Sequence, residues 1–188
     1  MSFHQVCANS IIKKAKRGDK FALTHIYQLY KHPVFNLAYQ MLRDEHRAND
    51  VLQIVMMKMI NSIKSLADSK KLNGWMKRVT YNTVIDVIRN NKKLEFFGDE
   101  VSLGYSAEES LETINSDAWD VDVFLDMLSE RERLVVWLYA VEGFSHAEIA
   151  EKLQISEQNS RVIFSRAMKS LKQLAQNKGF SKVSANHE

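Results

Sequence analysis

The segment SHAEIAEKLQISEQNSRVIFSRAMKSL, residues 145–171, contains two short helical periods separated by a turn. Ser145, followed by Glu148, forms a capping-box pattern that begins the first helix. The turn Gln154-Ile155-Ser156 interrupts the helical period, and Ser156 can cap a second helix. Two short helices joined by such a turn form a helix-turn-helix, whose second helix lies in the major groove of DNA. The apolar spine of this hairpin consists of Ile149, Leu153, Ile155, Ile163, Phe164 and Leu171.

The second helix of this segment carries side chains that suit DNA. Asn, Gln and Arg read adenine and guanine edges through paired hydrogen bonds, while Lys and further Arg bind phosphates. The candidate DNA-binding residues here are Ser156, Gln158, Asn159, Arg161, Arg166 and Lys169. An ordinary helical hairpin with a solvated polar face has the same spacing, so the segment alone leaves both interpretations open.

Two positions depart from the commonest form of the motif. Gln154 stands in the turn where glycine usually relieves a left-handed backbone, at a cost of roughly 1 kcal/mol. Ser160 stands where an apolar residue is usual. We expect these two departures to shift the second helix slightly.

The composition predicts an all-helical, cytoplasmic protein. Its 188 residues are 45% hydrophobic, with one proline, six glycines and no sustained apolar–polar alternation. The single cysteine, Cys7, excludes a disulfide framework, and no Cys/His cluster has zinc-site spacing. No segment has the length and apolar content of a signal peptide or membrane span. We therefore expect no membrane insertion, no metal and no cofactor.

Charge is strongly segregated along the chain. Residues 1–93 hold 17 Lys/Arg against 6 Asp/Glu, residues 94–130 hold none against 11, and residues 131–188 hold 9 against 6. Two basic modules therefore flank an acidic connector. Basic modules favour a polyanionic partner because binding releases counterions. Solvated lysine-rich faces would give the same balance of charge.

These patterns predict two small helical domains joined by a flexible acidic linker. The first domain covers residues 1–93, the linker 94–120 and the second domain 121–178, followed by a frayed tail at 179–188. In the first domain, the predicted helices are 10–17, one that Asp19 caps, a separate one opened by Pro33, one from Asp44 to about Leu66, and one from about Trp75 to Asn91.

The linker has a length that suits two sites on one duplex. Extended, residues 94–120 reach at most ~90 Å, about two and a half duplex turns of ~34 Å each. Two weak DNA-binding domains joined in this way would gain from effective concentration. Negative charge would keep the linker itself off the phosphate backbone. A plain interdomain spacer explains the same composition.

The helix RANDVLQIVMMKMI, residues 47–60, is apolar nearly all round, because only Gln53 and Lys58 are polar after Val51. Such a helix is either buried centrally or partly covered by a partner. Asp50 and Gln53, three residues apart, share one face and suit the polar rim of a docking surface. Central burial is the default expectation, and docking is the alternative.

The helix WMKRVTYNTVIDVIRNNKK, residues 75–93, combines basic and aromatic residues. We expect Lys77, Arg78 and Tyr81 to face outward. That combination suits a nucleic-acid strand with stacked bases, each stack contributing ~1–3 kcal/mol. A soluble amphipathic helix often has the same composition. A continuous stripe along the helix consists of Trp75, Val79, Asn82, Asp86 and Arg89.

In this order and spacing, the motifs of both domains resemble those of a bacterial extracytoplasmic-function (ECF) sigma factor, from about Asp19 to Leu171. The similar segments are GDKFALTHIYQLYKHPVFNLAYQML, ANDVLQIVMMKM, WMKRVTYNTVIDVIR, the acidic linker, and LSERERLVVWLYAVEGFSHAEIAEKLQISEQNSRVIFSRAMKSL. The most specific parts are Asp50 with Gln53, the series Trp75, Asn82, Asp86 and Arg89, the LSERER opening at 128–133, Glu148-Ile149-Ala150, and Arg161 with Arg166-Ala167.

For the first domain, the resemblance implies sigma region two, which docks on the clamp of core RNA polymerase. Asp50 and Gln53 would lie at or near that contact, although Ile54 stands where the family usually has an acidic residue. The last helix and the loop 68–74 would recognise the minus-ten promoter element and capture an unstacked base. The candidate minus-ten residues are Asn73, Lys77, Arg78, Tyr81, Asn82 and Arg89.

For the second domain, the resemblance implies sigma region four. This region would place residues 156–169 in the major groove of the minus-thirty-five element, and its other surface would meet the polymerase flap. The implied partners are core RNA polymerase, promoter DNA and an anti-sigma factor.

Three classes of function compete for this sequence. A transcription initiation factor, which the sequence favours, catalyses no reaction itself. It selects the promoter and helps to open the DNA strands. A stand-alone helix-turn-helix regulator would need a ligand or receiver domain, which residues 1–93 do not resemble. A nucleic-acid hydrolase would need paired carboxylates or an activated nucleophile, and the sequence presents neither. We therefore expect a sigma factor that is not an enzyme.

Overall fold

The computed structural model of the chain describes residue 3 and residues 7–66, 71–92 and 125–184, with side chains described up to 90 and up to 173 in the last two ranges. Within these ranges the regular structure is helical, which confirms the predicted all-α class. The chain divides into two compact units, Met1–Phe97 and Gly98–Glu188. The linker predicted at 94–120 and both of its boundaries lie outside the described residues.

The described residues of the first unit form four α-helices and a short 3-10 turn. They are α1 (Asn9–Lys16), α2 (Lys20–Leu42), α3 (Glu45–Ser62), the turn Ile63–Ser65, and α4 (Leu72–Lys92). Asp19 caps α2 by accepting a hydrogen bond from the Ala22 amide at 2.9 Å, and Asp44 caps α3 through the Arg47 amide at 3.0 Å. The predicted cap at Asp19 is confirmed, and the structure adds the cap at Asp44, where the sequence predicted only the start of a helix.

Helix α2 runs through Pro33 without a break, so the prediction that Pro33 opens a separate helix is wrong. A proline inside a helix removes one backbone hydrogen bond and costs about 3 kcal/mol. The helix stays continuous because it buries side chains on both sides of Pro33, namely Ile26 and Tyr30 before it and Val34 and Leu37 after it. Burial of each contributes about 1.5–3 kcal/mol, which outweighs the local loss.

Helix α4 begins earlier than the sequence predicts. Its first residue is Leu72, before the predicted start at Trp75, and Leu72 is fully buried. The predicted loop 68–74 is therefore shorter, because residues 72–74 already belong to the first turn of α4. Residues 67–70 lie outside the described residues. Helix α4 packs against both α2 and α3, which gives it a wide buried face.

The second unit is built around the helical hairpin. Residues 125–127 are helical, and then come α5 (Glu130–Val136), a π-helical turn (Trp137–Val141), α6 (His146–Leu153) and α7 (Glu157–Ser184). The buried Arg133 donates to the carbonyl oxygens of Leu125 and Leu128 at 2.7 and 2.8 Å. These two bonds hold the segment before α5 against that helix.

Helix α7 continues to Ser184, so the prediction of a frayed tail after Lys178 is wrong for residues 179–184. Residues 185–188 lie outside the described residues. Of the helices that the structure describes, none combines the length and the apolar character that crossing a membrane requires.

Candidate DNA-binding and docking surfaces

Helix α6 begins with the capping box that the sequence predicts. The Ser145 hydroxyl accepts a hydrogen bond from the Glu148 amide at 3.3 Å, and the Glu148 carboxylate accepts one from the Ser145 amide at 2.8 Å. The pKa of Glu148 lies below its ordinary value, mainly because its carboxylate accepts a hydrogen bond from the Ser145 backbone amide. A hydrogen bond from the Ser145 side chain is the second cause. The charged form of Glu148 therefore fixes the start of α6.

The turn between α6 and α7 is left-handed at Gln154, with φ 56° and ψ 47°. The sequence prediction for this position is confirmed, and a glutamine occupies a conformation that glycine adopts without strain. The Ile155 amide donates to the Ala150 carbonyl oxygen at 3.1 Å and closes the turn. The Ser156 hydroxyl accepts from the Asn159 amide at 3.1 Å and caps α7, as predicted.

The first turns of α7 present polar side chains to solvent. Ser156, Gln158, Arg161 and Lys169 are exposed, while Asn159 and Arg166 are half-buried. The spine beneath them is buried at Ile149, Leu153, Ile163 and Leu171 and half-buried at Ile155 and Phe164.

Arg161 has a partner on its own helix that sequence reasoning missed. One terminal nitrogen of its guanidinium lies 2.6 Å from the Glu157 carboxylate, and both side chains are about half exposed. An exposed pair of this spacing contributes only about 0.3–0.5 kcal/mol. A competing anionic group can therefore displace Glu157 from Arg161 at small cost. The signal was present in the sequence, because acid and base stand four residues apart.

His146, the first residue of α6, is a second residue that the sequence did not single out. It is buried, and its Nδ1 lies 3.0 Å from the hydroxyl oxygen of Ser160 on α7. Ser160, which stands where an apolar residue is usual, thus has a hydrogen-bond partner on the other helix of the hairpin. A polar residue at an apolar position is the signal that indicates such a partner, because buried polar groups are nearly always hydrogen-bonded.

Helix α4 carries the candidate minus-ten residues, and one of them is placed differently from the prediction. Arg78 is exposed, while Lys77, Asn82 and Arg89 are half-buried. The outward orientation predicted for Tyr81 is wrong, because only 8% of this residue is exposed. Since α4 packs against two helices, its buried face extends past a single stripe and includes position 81.

Asn73 lies in the first turn of α4 and is half-buried. The Tyr30 hydroxyl of α2 donates a hydrogen bond to the Asn73 side-chain oxygen. Burial raises the pKa of Tyr30, so this phenol keeps its proton and remains a donor. The contact ties the first turn of α4 to α2, and the role of Asn73 in DNA binding stays a prediction.

Helix α3 buries one side and leaves an apolar face open. Val51, Val55 and Met59 are buried in the unit. The open face, called here the α3 surface, consists of Asp50, Gln53, Ile54, Met57 and Ile60. Its three apolar members are 37%, 64% and 48% exposed, respectively. The default prediction of central burial is therefore wrong for this side of the helix.

No group of three or more His, Cys, Asp or Glu in the described ranges is arranged to hold a metal ion. The second unit presents a capped helix-turn-helix with exposed polar side chains on α7. The first unit presents the α3 surface, an apolar helix face with a polar edge. These features define a helix-turn-helix protein of the DNA-binding class.

Comparison with known proteins is consistent with a DNA-binding protein and indicates which family of such proteins the chain resembles. The sigma-70 region 2 model matches residues 26–94, and the sigma-70 region 4 model matches residues 119–171. RNA polymerase sigma factor SigZ of Bacillus subtilis (strain 168) is 30% identical over 149 residues, which cover 79% of this chain and 84% of SigZ. ECF RNA polymerase sigma factor SigW of the same organism is 29% identical over 157 residues, covering 77% and 83%.

Among solved structures, the sigma factor RpoE from Bartonella quintana, crystallised with the anti-sigma factor NepR, covers 81% of this chain and 96% of its own, at 21% identity and a TM-score of 0.46. From the two region models and the curated relatives, the chain belongs to the sigma-70 family and is an ECF RNA polymerase sigma factor.

Proposed function

We propose that this chain binds core RNA polymerase and directs it to specific promoters for transcription initiation. The observation that carries the proposal is the capped helix-turn-helix of sigma region four, with Gln158 and Arg161 exposed on α7, in a chain that also contains sigma region two. A stand-alone regulator would account for α7 but leaves the open α3 surface without a role.

In the second unit, α7 enters the major groove of the minus-thirty-five element. Gln158, Asn159 and Arg161 are the residues of the types that read base edges. The phosphate contacts come from Ser156, Arg166 and Lys169, which position the helix without carrying sequence information. The exposure of four of these six residues supports this assignment.

In the first unit, the α3 surface docks on the polymerase clamp. Exposed methionine and isoleucine supply an adaptable apolar centre, and Asp50 and Gln53 supply a polar edge, which is the usual anatomy of a protein interface. Ile54 stands where the family usually has an acidic residue, and it adds to the exposed apolar area that Met57 and Ile60 supply. In this chain, burial of apolar side chains replaces part of the contact that an acidic side chain makes in other members of the family.

Helix α4 contributes to recognition of the minus-ten element. Arg78 is exposed, and Lys77, Asn82 and Arg89 are partly accessible for contacts to the strand backbone and bases. Asn73, at the start of the helix, is the candidate nearest the predicted base-capturing loop. Burial of Tyr81 means that this ring requires a local opening before it can stack on a base.

The remaining assignments extend the proposal. The chain carries no catalytic centre of its own, and nucleotide addition belongs to the polymerase. It acts in the cytoplasm, where the second unit also contacts the polymerase flap. An anti-sigma factor holds it when it is not needed. These assignments follow from the family resemblance.

Reconstitution tests the proposed function. Purified full-length chain is added to core RNA polymerase that lacks any sigma factor, with a duplex library randomised upstream of a reporter transcript. We expect transcripts with a defined start and enriched sequence at two upstream positions. Random starts, or starts unchanged from those of core polymerase alone, would contradict the proposal.

A further inference from the structure

The buried contact between His146 and Ser160 joins the two helices of the helix-turn-helix. His146 follows the capping residue Ser145 directly and is 8% exposed, while Ser160 is fully buried. The imidazole Nδ1 and the hydroxyl oxygen lie 3.0 Å apart. One atom donates and the other accepts, so both buried groups are satisfied when the imidazole is neutral.

Two aromatic rings enclose the imidazole. Tyr139, from the π-helical turn, stacks on it with ring centroids 4.4 Å apart and planes inclined by 16°. Phe164, from α7, meets it edge-on at 5.6 Å. The two rings also contact each other at 4.6 Å. The two rings therefore hold the plane of the imidazole and keep its Nδ1 beside the Ser160 hydroxyl.

Ser160 lies in the first turn of α7, on the buried side of the helix. Its neighbours in sequence are Asn159 and Arg161, which are candidate base-reading residues. A hydrogen bond is directional, whereas an apolar contact at the same place would tolerate rotation of the helix. The bond to His146 therefore constrains the rotation of α7 about its own axis next to Arg161.

We propose that His146 is a positioning residue for promoter reading, which acts through Ser160 to set the rotation of the first turns of α7. This inference rests on the proposed function, in which α7 reads the minus-thirty-five element. His146 itself does not touch DNA in this arrangement. Its effect appears as the placement of Arg161 and Asn159 against base edges.

The surroundings of the imidazole disfavour its protonated form. Burial lowers the pKa of His146 below its ordinary value of 6.5, the Arg161 cation lowers the pKa further, and Glu157 raises it. Tyr139 is the titratable group that faces the imidazole from the turn before α6. Because the folded-state pKa is the lower one, the stabilisation from neutral His146 is present above pH 6.5 and is lost as pH falls through the folded-state pKa.

The test uses full-length chain bound to core polymerase and a duplex pool randomised at the minus-thirty-five element. His146→Phe and Ser160→Ala each leave one buried polar group unpaired, and the double variant leaves neither. We expect each single variant to bind the wild-type consensus roughly tenfold more weakly. The double variant should recover affinity, but with altered preference at the base pairs that Arg161 contacts.

Two further variants complete the comparison. His146→Asn places an amide where Nδ1 stood, and we expect it to restore the wild-type base preference. His25→Phe removes an exposed histidine of α2 and should leave base preference and affinity unchanged. Urea unfolding of every variant identifies the conditions in which the second unit remains folded, and binding is compared only there.

The pH profile separates positioning from simple stabilisation. Between about pH 7.5 and about pH 5.5, wild-type promoter binding should weaken relative to that of His146→Phe and His146→Asn, which do not titrate at this position. The nitrogen NMR signals of the imidazole, assigned through their loss in His146→Phe, should titrate below pH 6.5.

Two outcomes would overturn the inference. One is a set of variants that unfold more easily yet keep the wild-type base preference and pH profile, since His146 would then be structural only. The other is wild-type chain that directs no initiation at all, which rejects the proposed function and this inference with it. When wild-type chain initiates normally, the first outcome rejects the inference alone.

Discussion

Arg161 combines an exposed position at the start of α7 with a displaceable acidic neighbour, Glu157, at 2.6 Å. A guanidinium that contacts a guanine edge through two hydrogen bonds discriminates between bases, whereas one that contacts phosphate does not. Its spacing from the helix start and its exposure favour the base edge. Removal of the Arg161 side chain is therefore expected to change which DNA sequences are preferred.

Replacing Arg161 with Ala should cost about 1–3 kcal/mol of discrimination at one base pair of the minus-thirty-five element. The measurement is the base preference of reconstituted polymerase on a randomised duplex pool. Lys169→Ala is the matched control, because loss of a phosphate contact should weaken all sequences alike and reduce the salt slope by about one. Uniform weakening by Arg161→Ala would assign this residue to phosphate instead.

Gln154 provides a residue-scale test of backbone strain. Its left-handed φ of 56° means that Gln154→Gly should raise the unfolding free energy of the second unit by about 1 kcal/mol. Urea unfolding measures the change. In the control, Gln173→Gly, at an exposed position well inside α7, should lower the unfolding free energy by about 0.5–1 kcal/mol, because glycine is unfavourable in a helix interior. A loss of stability at position 154 would show that the Gln154 side chain makes contacts that outweigh the strain.

Helix α3 shows that one element can serve folding and docking on opposite sides. Met59 is fully buried, while Met57, two residues earlier, is 64% exposed. Apolar side chains are found on both sides, so the helix is apolar nearly all round, although only one side faces the core. Substitutions on the buried face of such a helix are expected to lower the stability of the unit. Substitutions on the exposed face are expected to weaken partner binding.

Replacing Asp50 and Gln53 together with Ala should weaken binding to core polymerase and leave the first unit folded. Both residues are exposed on the α3 surface, so the unfolding free energy should stay within about 0.5 kcal/mol of wild type. Binding is measured by competition with a labelled wild-type chain, and folding by urea unfolding.

Two controls accompany the α3 variant. Glu45→Ala with Asn49→Ala also removes one acid and one amide from exposed positions of α3, and should leave polymerase binding unchanged. Met59→Ala, on the buried face, should destabilise the unit by about 2–5 kcal/mol. If the Asp50 and Gln53 variant unfolds the unit, the two residues are structural and the docking assignment is wrong.

For the molecule as a whole, charge is distributed by segment. Residues 1–93 and residues 131–188 each carry more Lys/Arg than Asp/Glu, and the eight acidic residues between positions 94 and 120 lie between these two basic segments in the sequence. Like-charge repulsion between an acidic connector and phosphate confines DNA binding to the units. A neutral connector would lose that confinement without any change in the helices.

Replacing these eight acidic residues with their amides should strengthen binding to DNA that lacks a promoter and reduce promoter selectivity. The measurement is the ratio of affinities for promoter and non-promoter duplex across a salt series, because the electrostatic contribution depends on salt. Exchanging Asp for Glu and Glu for Asp at the same positions preserves the charge and should leave the ratio unchanged. An unchanged ratio in the neutral variant would assign the acidic segment to spacing alone.

The sequence by itself determined the features whose partners lie a few residues away. The caps at Asp19, Asp44, Ser145 and Ser156 and the left-handed turn at Gln154 follow from local chemistry, because each side chain or backbone angle acts within one helical turn. The order of these local signals also predicted two helical units and the family. The candidate residues on α7 follow from the same spacing.

Only the tertiary structure decided which faces of the helices are buried. The continuity of α2 through Pro33, the burial of Tyr81, the open α3 surface and the His146–Ser160 contact all depend on which helices pack together. Periodicity defines the apolar stripe of a helix, but burial is set by the number and direction of neighbouring helices. A helix with two neighbours, such as α4, buries more than its stripe, and one with an open side, such as α3, buries less.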